Sequence, residues 1–308
     1  MPSTATIACI GAAHLDRRGT AHAPVVLGTS NPGTVVTELV GVARNVAENL
    51  HRLGCRVILC SRTGDDEAGR RVQDQPFDTS LVTLSQTCPT ASYTALLDCS
   101  GELVVGLADM QVYDEVTPEV LAPALPSLRT AAIWFADANL PGETLDWLLK
   151  QAGPIPVAVD AISVAKSRRL VPLLSRIPYL FCNLAQAGSL CSGDAFQDPS
   201  AAARSLLQLG ARCGVVTGGA TGIAVYESGR VTALPALLAD PVRDVTGAGD
   251  ALIAGALYGL SLQGHSLCGA ARLGLAAAAI TVESTHSVSP HLNAEVLHAR
   301  SNCCTESH

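Results

Sequence analysis

A chain of 308 residues, 48% of them hydrophobic, is long enough to bury a sizeable core in one large α/β domain or a domain with a small appendage, and this argues against a separate second catalytic domain. A formal net charge of −7 offers no attractive field to phosphate polymers, so neither nucleic acid nor an anionic membrane surface is an expected partner and a small molecule is favoured. The 11 cysteines are an odd count with no CxxC pair and no Cys/His cluster at zinc spacing, which reads as reduced thiols in a cytoplasmic protein, the vicinal Cys303 and Cys304 lying in a polar tail.

No basic residue precedes the first apolar run at Ile7 to Ile10, which argues against a secretory signal. That run, residues 6–10, also opens an alternation of short β-type and helical patterns. Residues 14–39 interrupt it with Gly, Pro and Ser punctuation among β-branched residues. Val42, Val46, Leu50 and Leu53 then repeat at helical spacing until Gly54 stops the turn. A strand is expected at 57–61. Residues 91–97 and 103–107 flank the turn Cys99-Ser100-Gly101-Glu102 and read as a hairpin. Further buried strands are expected at 131–136, 157–160, 179–182 and 215–217, separated by helical stretches. This alternation predicts an α/β fold with a central, mostly parallel sheet flanked by helices. The two interruptions, about 14–39 and 90–108, are insertions that form a small β-sheet lid on a single domain. The longest apolar stretch, 273–282, falls well short of the ~20 residues that cross a bilayer.

The strongest chemical signal is Asp244-Val245-Thr246-Gly247-Ala248-Gly249-Asp250, followed by the apolar, small-residue run 251–257. The run reads as a buried helix with glycines at its start. Small residues there let backbone N–H groups point outward, where the unpaired donors and the helix dipole favour an anion. A carboxylate at Asp250 would feel the same positive end and is expected to stay ionised at neutral pH, ready to accept a proton. An anion hole beside a base is what phosphoryl transfer to a hydroxyl requires. Composition alone equally allows a Gly-rich turn with Asp as an ordinary N-terminal helix residue. No Gly-x4-Gly-Lys-Ser/Thr loop is present, nor a Gly-x-Gly-x-x-Gly after the first strand.

The heptapeptide resembles the C-terminal signature of the ribokinase (PfkB) carbohydrate kinase family, Asp-Thr-x-Gly-Ala-Gly-Asp, with Val245 in the usual Thr position. The resemblance implies a ribokinase-like fold, Asp250 as catalytic base, Gly247, Ala248 and Gly249 as the anion hole, and ATP with Mg2+ as cofactors. Gly41 to Leu50 resembles the family's N-terminal signature, in which a Gly-Gly pair opens a helix carrying a sugar-holding Asn. Here Gly41 and Asn45 match and Val40 replaces the first glycine. Gly11 to Asp16 follows the first strand, where the family places Asn-x-Asp; Asp16 matches, implying a grip on sugar hydroxyls, and His14 departs. The resemblance further implies nucleotide contacts at Thr217, Gly219 and Gly222, and at Asn183 and Thr246. The family's Asn-x-x-Glu motif for magnesium reads Asn183-Leu184-Ala185-Gln186 here, so Gln186 keeps the shape and loses the charge.

Within the family, Ser30-Asn31-Pro32-Gly33, Thr90 to Thr94 and Asp160 to Lys166 resemble pseudouridine kinases. This implies transfer of the ATP γ-phosphoryl group to the 5′-hydroxyl of pseudouridine, with Ser30 and Asn31 offering donors and acceptors to the uracil edge. Lys166 is left between a phosphate contact and a structural carboxylate. A ribose, adenosine or fructose kinase, or a binder of nucleoside and ATP without catalysis, remain alternatives, and the open lid edges admit a homodimer.

Overall fold

The structure is a computed structural model that describes residues 5–193 and 195–302. Its strands are β1 (Thr6–Ile10), β2 (His14–Ala21), β3 (Gly33–Val40), β4 (Arg56–Gly64), β5 (Asp78–Ser85), β6 (Ser92–Leu97), β7 (Leu103–Asp109), β8 (Ile133–Asp137), β9 (Val157–Asp160), β10 (Tyr179–Asn183), β11 (Gly214–Thr217), β12 (Ile223–Glu227) and β13 (Arg230–Leu234). A 9-stranded sheet runs β13-β12-β11-β10-β9-β8-β1-β4-β5. It is parallel from β11 to β5, and β12 and β13 add antiparallel at one edge.

Helices cover both faces, so the central strands are buried on both sides and read as continuous apolar runs. Alternate residues of β1 divide between two cores: Ile7 and Cys9 in one, Ala8 and Ile10 in the other. The first core takes the helices Val42–Arg52, Ala248–Tyr258 and Leu267–Val282; the second takes Gly142–Gln151, Leu184–Leu190 and Pro199–Gln208. The Ala248–Tyr258 and Leu267–Val282 helices pack closely because Gly255 and Gly274 face one another's backbone. A Cβ on Gly274 would lie 2.5 Å from the Leu252 carbonyl oxygen.

A 4-stranded sheet, β3-β2-β6-β7, stands outside the main one. The chain leaves the carboxyl end of β1 into β2, returns through β3 to the Val42–Arg52 helix, and supplies β6 and β7 from the second insertion. Both expected insertions therefore join one small sheet, and the expected hairpin is closed by Asp98, whose backbone N–H reaches the Glu102 carbonyl at 2.9 Å. The topology sets the small sheet at the edge where the parallel strands end, the edge at which open α/β sheets hold ligands. No helix among the described residues is long and apolar enough to cross a membrane. The described cysteines are free, most of them buried; Cys303 and Cys304 lie outside the described residues.

Candidate active site

The Ala248–Tyr258 helix starts at the carboxyl edge with Gly247 as its N-cap, in the left-handed region at φ 79°. A Cβ there would lie 1.9 Å from the Ser287 carbonyl oxygen, so glycine is required both by conformation and by space. Ala248 N–H bonds the Val245 carbonyl at 3.3 Å, whereas the N–H groups of Gly249 and Asp250 find no acceptor among the described residues. Gly249 has open space where a Cβ would stand. Free donors at a helix start beside unfilled volume are the physical content of an anion hole.

Asp250 sits in the first turn of this helix, and its Oδ2 accepts from Asn45 Nδ2 at 2.8 Å. Asn45 is brought there by the Val42–Arg52 helix, whose N-cap Gly41 has φ 112° and no room for a side chain, since a Cβ would stand 2.5 Å from the Ala12 carbonyl oxygen. Val40 departs from the Gly-Gly pattern at no conformational cost: the left-handed backbone falls on Gly41 alone of the two. Asn45 Oδ1 in turn accepts from Arg44 Nη1 at 3.2 Å, and Arg44 is paired with Glu48.

Motif reading missed Asp137. Buried at the end of β8, it accepts from Ala12 N–H at 2.8 Å and Ala43 N–H at 3.1 Å through Oδ2, and from Asn139 N–H at 2.9 Å through Oδ1. It thus serves the start of the Val42–Arg52 helix as a capping side chain would, from another part of the chain. Its neighbour in register is Asp160 at the end of β9. An acidic residue ending an apolar strand is the hint for Asp137, whereas Asp160 opens the stretch Asp160 to Lys166.

These carboxyls change the electrostatics expected of Asp250. Burial, opposed by the Asn45 hydrogen bond and reinforced by Asp137, pushes its pKa up to about 7. The carboxylate expected to be fully ionised at neutral pH is instead near half-ionised there, because burial raises it. Burial, then Asp250, then Asp137 push Asp160 well above the usual carboxyl range. Two residues on, Ile162 has φ 63°, a strained backbone for a β-branched side chain.

Across the cleft, the face of β2 that carries Asp16 turns to the same site. Asp16 Oδ1 is buried with no hydrogen-bond partner, and burial raises the pKa of the group. Arg18 reaches Asp244 at 3.6 Å and Glu38 of β3 reaches His286 at 3.4 Å, tying the small sheet to the loops around the helix start. Lys166 bonds the Asn139 side chain and feels the charge of Asp137 at this edge. Ser30 and Asn31 are not gathered here. They lie at the far tip of the β2–β3 hairpin from the His14↔Val40 pair, and Asn31 spends its amide on Val26 N–H at 2.8 Å, the Val26 carbonyl at 2.9 Å and the Thr29 carbonyl at 3.2 Å. The Asn31 amide thus closes its own loop in this structure.

On the other side of the helix start, Thr217, Gly219, Gly222, Ala248, Gly249 and Leu252 line a largely apolar cavity of about 520 Å3. Thr246 and Asn183 stand outside its lining; Thr246 N–H turns back to Asp244 Oδ1 at 2.9 Å. Asn183 and Gln186 form a reciprocal capping box: Asn183 Oδ1 accepts from Gln186 N–H at 2.9 Å and Gln186 Oε1 from Asn183 N–H at 2.8 Å. Each side-chain oxygen accepts a capping bond and neither is anionic, so the pair is a poor fit to direct magnesium coordination, and Gln186 serves here as a helix cap. No group of three or more His, Cys, Asp or Glu among the described residues could hold a metal ion.

Residues 4–293 match the family model described as pfkB family carbohydrate kinase. The chain is 33% identical over 258 residues to a pseudouridine kinase of Escherichia coli (strain K12), covering 81% of this chain and 82% of that protein. A solved carbohydrate kinase from Agrobacterium tumefaciens is 35% identical with a TM-score of 0.84, covering 97% of both chains. An Arabidopsis thaliana ribokinase complexed with ribose and ATP shares the fold at TM-score 0.82 and 20% identity, covering 97% of this chain and 99% of that one.

Proposed function

The chain belongs to the pfkB family of carbohydrate kinases, as a sugar or nucleoside kinase, and from that premise we propose that it transfers the ATP γ-phosphoryl group to the 5′-hydroxyl of pseudouridine. One observation carries the chemistry: the Asp250 carboxyl lies in the first turn of a helix whose start offers free N–H groups, between the apolar cavity and the orphaned acceptor of Asp16. In this reading Asp250 takes the hydroxyl proton, Gly247 to Gly249 cradle the charge on the moving phosphoryl, and Asp16 accepts from sugar hydroxyls. A base with a pKa near the working pH is well matched to that task. Asn45 orients the base. The cavity lined by Thr217, Gly219 and Gly222 takes the nucleotide, whose Mg2+ would supply charge neutralisation at the phosphates.

The small sheet acts as a lid on a single cytoplasmic kinase domain, excluding water when it closes. Its outer face, with exposed Val35, Val105 and Leu107, suits a second copy of the chain. The substrate is supported by the likeness to the pseudouridine kinase of E. coli, which spans most of both proteins. The test is ADP release with pseudouridine, uridine, ribose, adenosine and fructose supplied in parallel, with Asp250→Asn as the blank. Selective turnover of pseudouridine is expected. Turnover of another acceptor would replace the substrate, and silence from a folded, ATP-binding protein would overturn the kinase reading.

A further inference from the structure

We propose that His14 is a fixed hydrogen-bond donor to an uncharged oxygen of the substrate, and that Tyr113 is the positioning residue that locks it in that state. The proposal deepens the nucleoside-kinase reading and rests on it for the identity of the ligand.

His14 starts β2 and shares a face with Asp16, two residues on, so both side chains project toward the cleft. Behind it, Tyr113 is 1% exposed on the Gln111–Glu115 turn, and its Oη makes two contacts: Ala13 N–H at 3.0 Å and His14 Nδ1 at 3.1 Å. The first bond uses Oη as an acceptor. A phenol has one proton to give, and His14 Nδ1 is the sole acceptor within reach of it among the described residues. Nδ1 therefore accepts, and the imidazole carries its proton on Nε2. Among the described residues no group accepts from Nε2.

The surroundings hold the ring neutral. Lys166, on the segment after β9, presents its ammonium to His14, and together with burial it keeps the imidazole down to about 4. Asp137 acts on Tyr113 and Lys166, Asp114 acts on Lys166, and Asp16 is the acid on the ring's own strand. Burial also raises the Tyr113 hydroxyl well above its usual range, so the phenol proton stays in place. His14 thus offers one N–H at every pH from about 5 upward and never a full charge. Beside it, Asp16 offers an acceptor. The pair is complementary to a ligand that presents an oxygen next to hydroxyl donors, either a sugar hydroxyl or a base carbonyl.

The lock is read without substrate by 15N NMR of histidine-labelled protein. The wild type should show an Nε2-protonated His14 that does not titrate between pH 5 and 8. In Tyr113→Phe the ring should mix Nδ1 and Nε2 tautomers, while burial and Lys166 still hold it neutral across this range. Kinetically, Tyr113→Phe should raise the KM of the phosphorylated acceptor about 5- to 10-fold, the scale of one hydrogen bond, with kcat within about twofold. His14→Asn, which keeps an N–H donor that cannot ionise, should recover part of the KM at all pH values, while His14→Ala should not. A penalty that carries over to free ribose assigns the oxygen to the sugar; one confined to the nucleoside assigns it to the base. An Nδ1-protonated or titrating His14 in the wild type overturns the proposal while leaving the kinase intact. An unchanged KM in both Tyr113→Phe and His14→Ala overturns it too. Absence of ADP from every acceptor would instead strike the kinase reading, with the NMR result still deciding the tautomer.

Discussion

Asp250→Asn should make a worse enzyme and a more stable protein. The carboxyl rises from 3.8 to about 7 in the fold, chiefly through burial. Its folded pKa lies above the unfolded one, so the folded state keeps a proton that the unfolded chain releases. Stability is therefore lost as pH climbs from about 4 to 7, and the whole penalty stands above 7. At 1.36 kcal/mol per pKa unit the ceiling is about 4 kcal/mol at pH 8, with roughly a third of it at pH 5. The group keeps some solvent contact, and screening brings the expected value at pH 8 to about 2 kcal/mol. Asparagine never ionises and still accepts from Asn45, so the variant escapes the penalty. For a chain of this length that is a Tm higher by about 4 °C at pH 8 and by about 1–2 °C at pH 5. Turnover should fall by roughly 10²-fold or more, the scale of a lost general base. Melting curves at both pH values and ADP release from saturating ATP read the two effects. A variant no more stable at pH 8 than the wild type, or one shifted equally at both pH values, would refute the argument that burial sets the state of Asp250.

In the wild type, kcat/KM should climb about tenfold per pH unit below 7 and level off above it, because Asp250 must be ionised to take a proton; a midpoint near 4 would contradict this. Asn45→Ala removes the hydrogen bond that lowers the Asp250 pKa, so the midpoint should move up, with turnover at pH 7 reduced by roughly 3- to 10-fold and partly regained at pH 9. Gln186→Ala opens the capping box and should cost about 1 kcal/mol in urea unfolding with kcat at saturating Mg2+ unchanged. A kcat restored only by excess Mg2+ would reinstate Gln186 as a metal residue. Gly247→Ala must find room for a Cβ 1.9 Å from the Ser287 carbonyl oxygen at φ 79°, so a loss of more than about 2 kcal/mol is expected, or a displaced helix start that abolishes ADP release.

The fold was legible where one residue class dominates a short segment. Buried parallel strands such as β1 and β8 are apolar runs ended by polar turns, and both insertions announced themselves through Gly, Pro and β-branched residues. The hairpin of β6 and β7 follows from its turn. The helix start at Gly247 was legible because a left-handed N-cap and a carboxyl three residues on leave a local mark. Long-range partners leave none. Asp137 reaches Ala12 and Ala43 across 125 and 94 residues, and Tyr113 reaches Ala13 across 100. Nor does a motif disclose whether a side chain is already spent, as Asn31 is on its own loop and Gln186 on Asn183. The ionisation expected of Asp250 failed for the same reason: the helix dipole is local and visible, whereas burial and the neighbouring acids come from other strands.

Hydrogen-bond supply decides which of the gathered carboxyls can exchange a proton. Asp137 is the best supplied, with backbone N–H groups of Ala12, Ala43 and Asn139 on its two oxygens. Those donors offset much of its burial, and moving a proton onto it would unpair the start of the Val42–Arg52 helix. Asp160 differs: burial, then Asp250 and Asp137, push its carboxyl well above the usual range, against the backbone N–H groups of Ile162 and Ala161. Asp250 has one neutral donor from Asn45, which lowers its pKa part of the way against burial and leaves the value near 7. Adding a second donor would fix it as an anion of little basicity; removing the first would keep it an acid. A single amide on the neighbouring helix therefore holds partway down the carboxyl that stands next to the free N–H groups of the helix start, leaving it near 7 and balanced between its two states.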